Sequence, residues 1–191
     1  MMRIVGGDLR GRRLLAPKGR GVRPTLEVVR EAVFDTLGPR VAGAAVLDLF
    51  AGSGAMGLEA LSRGASHVTW CDASDRAVAA IRENASRLSI AAGRFSILQM
   101  PSQLAIRRLE GEGARFDAVF VDPPYDAALY EETMLGLSIA RVVVEGGTVV
   151  VEHSRRFGVS ACYGDLSLAR DRRYGETCVA YYVRGSGKEA P

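Results

Sequence analysis

From Ala45 to Glu152 the chain alternates short apolar runs with helix-forming stretches, and that alternation leaves few folds open. Ala45–Phe50, Ser66–Cys71, Phe95–Leu98, Asp117–Val121 and Thr148–Glu152 read as strands. Helices are expected at Gly57–Arg63, Ser74–Leu88, near Gln103–Leu109 and at Tyr130–Ile139. Apolar strands joined by helices pack as a parallel sheet covered on both faces. The tail differs, because Leu166–Arg173 and Thr177–Val183 flank Tyr174-Gly175-Glu176 as a hairpin would. The expected fold is therefore α/β, a mostly parallel sheet with a terminal antiparallel hairpin.

Two strand ends stand out. The run Phe116 to Val121 stops at Asp122-Pro123-Pro124-Tyr125. Proline cannot extend a ladder, so the chain leaves the sheet there with an acceptor and an aromatic face. The strand at Ala45 ends in Asp48-Leu49-Phe50-Ala51-Gly52-Ser53-Gly54, with Gly57 three residues on. Glycines in that setting let the backbone turn sharply and approach a nucleotide-type ligand. Both loops leave the carboxyl edge of one sheet, where open α/β sheets bind ligands.

Asp72 lies 20 residues beyond Gly52, at the end of the next strand, and suits ribose hydroxyls. NAD and S-adenosyl-L-methionine both satisfy this pattern. Asp48, just before the loop, favours a ligand carrying an amino group or sulfonium over a diphosphate, which tilts the reading toward S-adenosyl-L-methionine. Asp122 and the Pro123 carbonyl could then accept hydrogen bonds from an exocyclic amine and aim its lone pair at a methyl. Tyr125 could stack on the flipped base.

Composition bounds the rest. At 191 residues a single domain is expected, and no apolar stretch is long enough to span a bilayer. No apolar segment of the secretory kind follows the basic start, so a cytoplasmic location is expected. Cys71, Cys162, Cys178, His67 and His153 lack the spacing of a metal site, and the cysteines are expected buried and reduced. Residues 1 to 30 carry eight basic against two acidic side chains, +6 of the net +3, leaving −3 elsewhere. A basic arm of this kind fits a polyanion partner, most often nucleic acid, or a solvated tail. The arm reads as extended at Arg3–Val5, turned at Gly6-Gly7 and extended again near Arg12–Ala16. Thr25 is a candidate N-cap for a helix through Leu37.

These residues resemble the RsmD family, bacterial class I enzymes that methylate N2 of a guanine in 16S ribosomal RNA. The resemblance runs from Arg3 to about Val183 through Arg3-Ile4-Val5-Gly6-Gly7, Gly11-Arg12, Arg23-Pro24-Thr25 and Arg30-Glu31. It continues through Asp48 to Gly54, Gly57 to Ala65, Val121 to Tyr125, Glu152-His153 and Tyr174-Gly175-Glu176-Thr177. It implies a Rossmann-like class I methyltransferase fold with a seven-stranded sheet, S-adenosyl-L-methionine as cofactor, and 16S rRNA, the small ribosomal subunit or its assembly intermediate as partner. Asp48, Phe50, Ala51, Gly52, Ser53, Gly54, Asp72 and Ala73 would line the cofactor site, with Asp122, Pro123, Pro124 and Tyr125 holding the amine. The family's acidic residue after the third strand is replaced by Gln99-Met100-Pro101-Ser102, so Ser102 or backbone would meet the adenine.

Arg3, Arg10, Arg12, Arg13, Arg23 and Arg30 are the expected RNA contacts. Arg155-Arg156, Arg170, Arg172 and Arg173 extend that surface or form a solvated edge. His153 reads as structural or substrate-facing, and Trp70 as core. The expected organisation is a hairpin-like RNA-binding arm over 1–24, a methyltransferase body over 25–184 that begins with helix 25–37, and a disordered tail over 185–191. A monomer is expected for want of an exposed apolar stripe. The competing functions are an adenine-N6 methyltransferase on DNA or RNA and a non-catalytic rRNA-binding assembly factor, with a nicotinamide oxidoreductase a remote third.

Overall fold

A computed structural model describes residues 2–16, 27–124, 127–155 and 158–185. Arg23, the Thr25 cap, Tyr125, Arg156 and the tail beyond Gly185 lie outside the described residues. Eight strands form one sheet: β1 (Ala45–Leu49), β2 (His67–Cys71), β3 (Phe95–Leu98), β4 (Phe116–Val121), β5 (Val143–Ser154), β6 (Cys162–Tyr163), β7 (Leu166–Tyr174) and β8 (Thr177–Arg184). Their order is β3-β2-β1-β4-β5-β8-β7-β6. The first five are parallel, and β8, β7 and β6 add antiparallel at one edge. The fold is the Rossmann-like one expected, with one strand more. That strand, β6, has two residues and pairs only with the start of β7.

Successive strand residues face opposite sides, and the core divides accordingly. Val46, Val68, Trp70, Phe120 and Val150 face α1 (Glu27–Leu37), α2 (Ala55–Ser62), α3 (Asp75–Arg87) and the arm. Leu47, Leu49, Val119, Val121, Val149 and Val151 face α4 (Ser102–Gly111) and α5 (Ala127–Ile139). α1 turns Val29, Val33 and Leu37 inward, as its sequence spacing indicates. Ser74 caps α3, its hydroxyl accepting from the Ala77 amide at 3.4 Å.

Residues 2–16 make a short hairpin, bridged antiparallel between Arg3 and Arg13. The hairpin is sewn into the body. Met2, Ile4 and Leu14 are buried in the same core layer as α1 and α2. The fully buried Glu59 of α2 accepts from the amides of Val5 (2.9 Å) and Gly6 (2.7 Å). Ser62, one turn on, accepts from Leu9 N at 2.9 Å and donates to the Gly6 carbonyl at 2.6 Å. Asn84 of α3 brackets Leu15, accepting from its amide at 2.8 Å and donating to its carbonyl at 3.0 Å.

Three expectations are corrected here. Arg30, expected on the RNA surface, is wholly buried and paired with Glu59 at 3.4 Å. Its helix face carries Val29 and Val33, so the side chain points into the body and also donates to the Arg3 carbonyl. Burial pushes its guanidinium pKa down and Glu59 pulls it back up. Cys162 is exposed, because β6 lies at the sheet edge. Gly185 is ordered into the fold, its amide donating to the Asp165 carbonyl at 2.9 Å.

A buried cation stripped of its partner costs far more than an exposed one. Glu59→Ala is therefore expected to lower the unfolding free energy by about 3–5 kcal/mol. Arg3→Ala breaks an exposed pair with Glu27 and should cost under about 1 kcal/mol. Urea denaturation followed by the fluorescence of Trp70, the chain's single tryptophan, checks both.

Candidate active site

The strand order reverses between β1 and β4, and the two loops singled out in the sequence leave the sheet on either side of that point. Leu49 of β1 pairs in register with Val121 of β4 and with Cys71 of β2. Asp72, Phe50 and Asp122 therefore follow at the same height along the carboxyl edge, on adjacent strands about 4.8 Å apart.

The loop after β1 turns through backbone conformations that most side chains avoid. Phe50 has φ 60°, followed by Gly52 at 55° and Gly54 at 77°. A phenylalanine there stores roughly 1 kcal/mol of strain or more, an expense that clusters at functional sites. Asp72 holds the loop, its Oδ2 accepting from the Gly52 amide at 2.9 Å and its Oδ1 from the Ser74 amide at 2.9 Å. Ser53 is buried, with its hydroxyl donating to Met2 Sδ at 3.6 Å and its carbonyl accepting from Asn84 at 3.0 Å. The arm and the loop thus share partners.

Asp48 lies beneath this loop, 3% exposed, its Oδ2 accepting from the Gly57 amide at 3.0 Å. Burial lifts its pKa from the ordinary 3.8 to about 8, the Gly57 bond opposing and the like charge of Asp72 adding to the rise. Trp70 eases it slightly, although the indole N–H makes no hydrogen bond of normal geometry. No cation of the described chain compensates Asp48. Cys71, next to Asp72, has its thiol pushed up to about 12, chiefly by burial, and is inert.

The remaining candidates fall as follows. Ala51 is buried and Ala73 exposed beside Asp72. Ser102 begins α4 at the carboxyl end of β3, buried, its hydroxyl donating to Gln103 at 3.1 Å. Asp122 and Pro123 are half-buried and Pro124 exposed at the end of β4. Arg3, Arg10, Arg12 and Arg13 are exposed on the arm, and Arg12 donates to the Arg87 carbonyl at 3.1 Å. His153 is buried near the end of β5 and paired with Asp171 at 3.1 Å. Glu59 and Asn84 carried no role in the sequence reading. Glu59 did leave a signal, a lone carboxylate inside the apolar helix Ala55–Ser62. Asn84 left none.

The family model described as conserved hypothetical protein 95 matches residues 2–183. Ribosomal RNA small subunit methyltransferase D of Escherichia coli K12 is 36% identical over 190 residues, 99% of this chain and 93% of that protein. The solved structure of YhhF from Escherichia coli, named as a candidate methyltransferase, superposes with a TM-score of 0.84 at 34% identity, covering 97% of this chain and 98% of that one. A Thermus thermophilus protein of no stated function gives 0.79 at 31% identity, covering 95% and 98%. This chain belongs to the RsmD family. An archaeal structure, a candidate RNA methyltransferase from Pyrococcus horikoshii, shares the fold at a TM-score of 0.71 and 17% identity.

Two outcomes test the site's construction. A Cβ added at Gly57 would sit 2.2 Å from Trp70 Nε1 and 2.6 Å from Val68 Cγ1. Gly57→Ala should therefore cost about 1–3 kcal/mol by thermal melting. The folded Asp48 carboxyl holds a proton between pH 3.8 and about 8 that the unfolded chain has released. Stability of the ligand-free protein should therefore fall as pH rises through that window, and Asp48→Asn should flatten the fall.

Proposed function

We propose that this chain transfers a methyl group from S-adenosyl-L-methionine to the exocyclic N2 amine of a guanine in the 16S rRNA of the small ribosomal subunit. The observation that carries this reading is the register of the two loops at the point where the sheet order reverses. It sets Asp122-Pro123 one strand away from the glycine loop and its buried acid. The names borne by the relatives, rRNA methyltransferases of the small subunit, support the substrate class.

The chain's residues fit such a cofactor. Asp48 is a buried carboxylate with a raised pKa and no protein cation beside it, which suits a ligand's amino group. A Cβ at Gly52 would meet nothing closer than the Phe50 carbonyl at 3.9 Å, so a ligand can lie against this backbone. Asp72 is half-buried at the end of β2, with lone pairs beyond the two amides it already binds, which suits ribose hydroxyls. Ser102 borders the region where the adenine would lie. S-adenosyl-L-methionine supplies an electrophilic methyl on a sulfonium.

The amine is a poor nucleophile while its lone pair is delocalised into the base. Asp122 and the Pro123 carbonyl accept its two N–H bonds, draw the nitrogen toward tetrahedral geometry and direct the lone pair away from the ring. Pro123 and Pro124 fix the backbone that presents these acceptors. Tyr125 supplies a face on which the flipped base stacks. Once methylated, the amine releases one of its protons to solvent. Arg10 and Arg13 on the arm meet the RNA backbone, while Arg30 serves the fold.

Unmethylated small subunits incubated with labelled cofactor and digested to nucleosides should yield N2-methylguanosine. Asp122→Ala should lower turnover at least about 100-fold while leaving affinity for S-adenosylhomocysteine intact. Label in N6-methyladenosine would replace guanine by adenine in this reading. Arg10→Ala with Arg13→Ala should weaken RNA binding and lower the slope of log K against log salt by roughly 1.5. Affinity for S-adenosylhomocysteine should not change.

A further inference from the structure

The carboxyl edge carries a second acid that the reading above does not use. Val121 of β4 pairs with Val151 of β5, so the position after each, Asp122 and Glu152, stands at one height on neighbouring strands. Side chains alternate along β5, and Val150 packs in the core layer beneath the Asp48 side of the sheet. Glu152 therefore faces that same side, beside Asp122 and away from the α4 and α5 face. Its neighbours Val149, Val150 and Val151 are buried aliphatics, whereas Glu152 is only half-buried.

We propose that Glu152 reads the N1–H of the target base and so makes the site specific for guanine, an inference that rests on the guanine-N2 reading above. Guanine presents two donors side by side on its Watson–Crick edge, the N2 amine and N1–H. Adenine presents its N6 amine beside N1, which is an acceptor, and cytosine presents N4 beside the acceptor N3. Two adjacent acceptors, Asp122 for the amine and Glu152 for the ring N–H, match guanine alone. Against adenine, the Glu152 carboxylate would face a lone pair and gain no hydrogen bond from the base, a mismatch that rejects the wrong base strongly.

The test uses small-subunit RNA carrying guanine or 2-aminopurine at the position that the wild-type protein methylates. The analogue keeps the 2-amine but has an unprotonated N1. Wild type should prefer guanine by about 100-fold or more in kcat/KM. Glu152→Gln can donate to an unprotonated N1, and its preference should shrink at least about tenfold. The missing O6 of the analogue affects both proteins alike, so the ratio of the two preferences isolates Glu152. Glu152→Ala should lose the preference as well, and both variants should bind S-adenosylhomocysteine as wild type does. An unchanged preference in Glu152→Gln overturns the role, and so does a parallel loss of S-adenosylhomocysteine affinity. N6-methyladenosine as the wild-type product overturns the guanine reading itself, and it is seen before any variant is made.

Discussion

Glu59 is the contact on which the rest of the arrangement depends. Its carboxylate is wholly buried and takes two arm amides, the Arg30 guanidinium and the Arg63 guanidinium, the last at 3.0 Å. A buried carboxylate is costly unless every lone pair is used, and here the chain uses them to join the arm, α1 and α2. The helix that carries Glu59 begins at the glycine loop. The arm is thereby fixed relative to the loop through one helix turn, and again through Ser53 and Asn84. The exposed charge of Arg10 and Arg13 is thereby tied, through the hydrogen-bonded arm, to the helix that begins at the glycine loop.

The second constraint is a buried carboxyl whose ionised form has no cation of the described chain beside it. Asp48 is expensive where it is, since burial favours its neutral form and Asp72 adds to the difficulty. The strained Phe50 beside it points the same way. Two local conflicts side by side, in a sheet whose other strands obey simple burial rules, mark where stability has been exchanged for binding.

Much of this was legible in the sequence because it rests on local rules. The βα alternation, the capping serine at 74 and the proline stop after Val121 are each decided within a few residues. The two loops could be placed on one edge because parallel sheets put every strand's carboxyl end there. What escaped depended on distant partners. Arg30 looked like one more basic residue of the arm, and only the approach of Glu59, 29 residues away, turns it into a core residue. The length of β5 escaped because Glu145-Gly146-Gly147 reads as a loop, yet the strand runs through it from Val143. The additional strand, β6, has two residues, too few for any pattern.

The fate of Arg30 also changes how the arm's charge should be read. Eight basic residues among the first thirty suggested a broadly cationic surface. Arg30 is cancelled inside the body, and Arg3 is paired with Glu27 at 3.0 Å. Arg10, Arg12 and Arg13 remain exposed around the turn and second limb of the hairpin without an ion pair among the described residues. Among the described residues the arm's charge without an ion pair is therefore concentrated on the turn and second limb of the hairpin. Phosphate contacts from such a patch would add salt-sensitive affinity that does not discriminate between sequences. On the proposed function, selection of the target nucleotide would then fall to the carboxyl edge of the sheet, where the register of β4 and β5 fixes the spacing of the hydrogen-bonding groups a flipped base would meet.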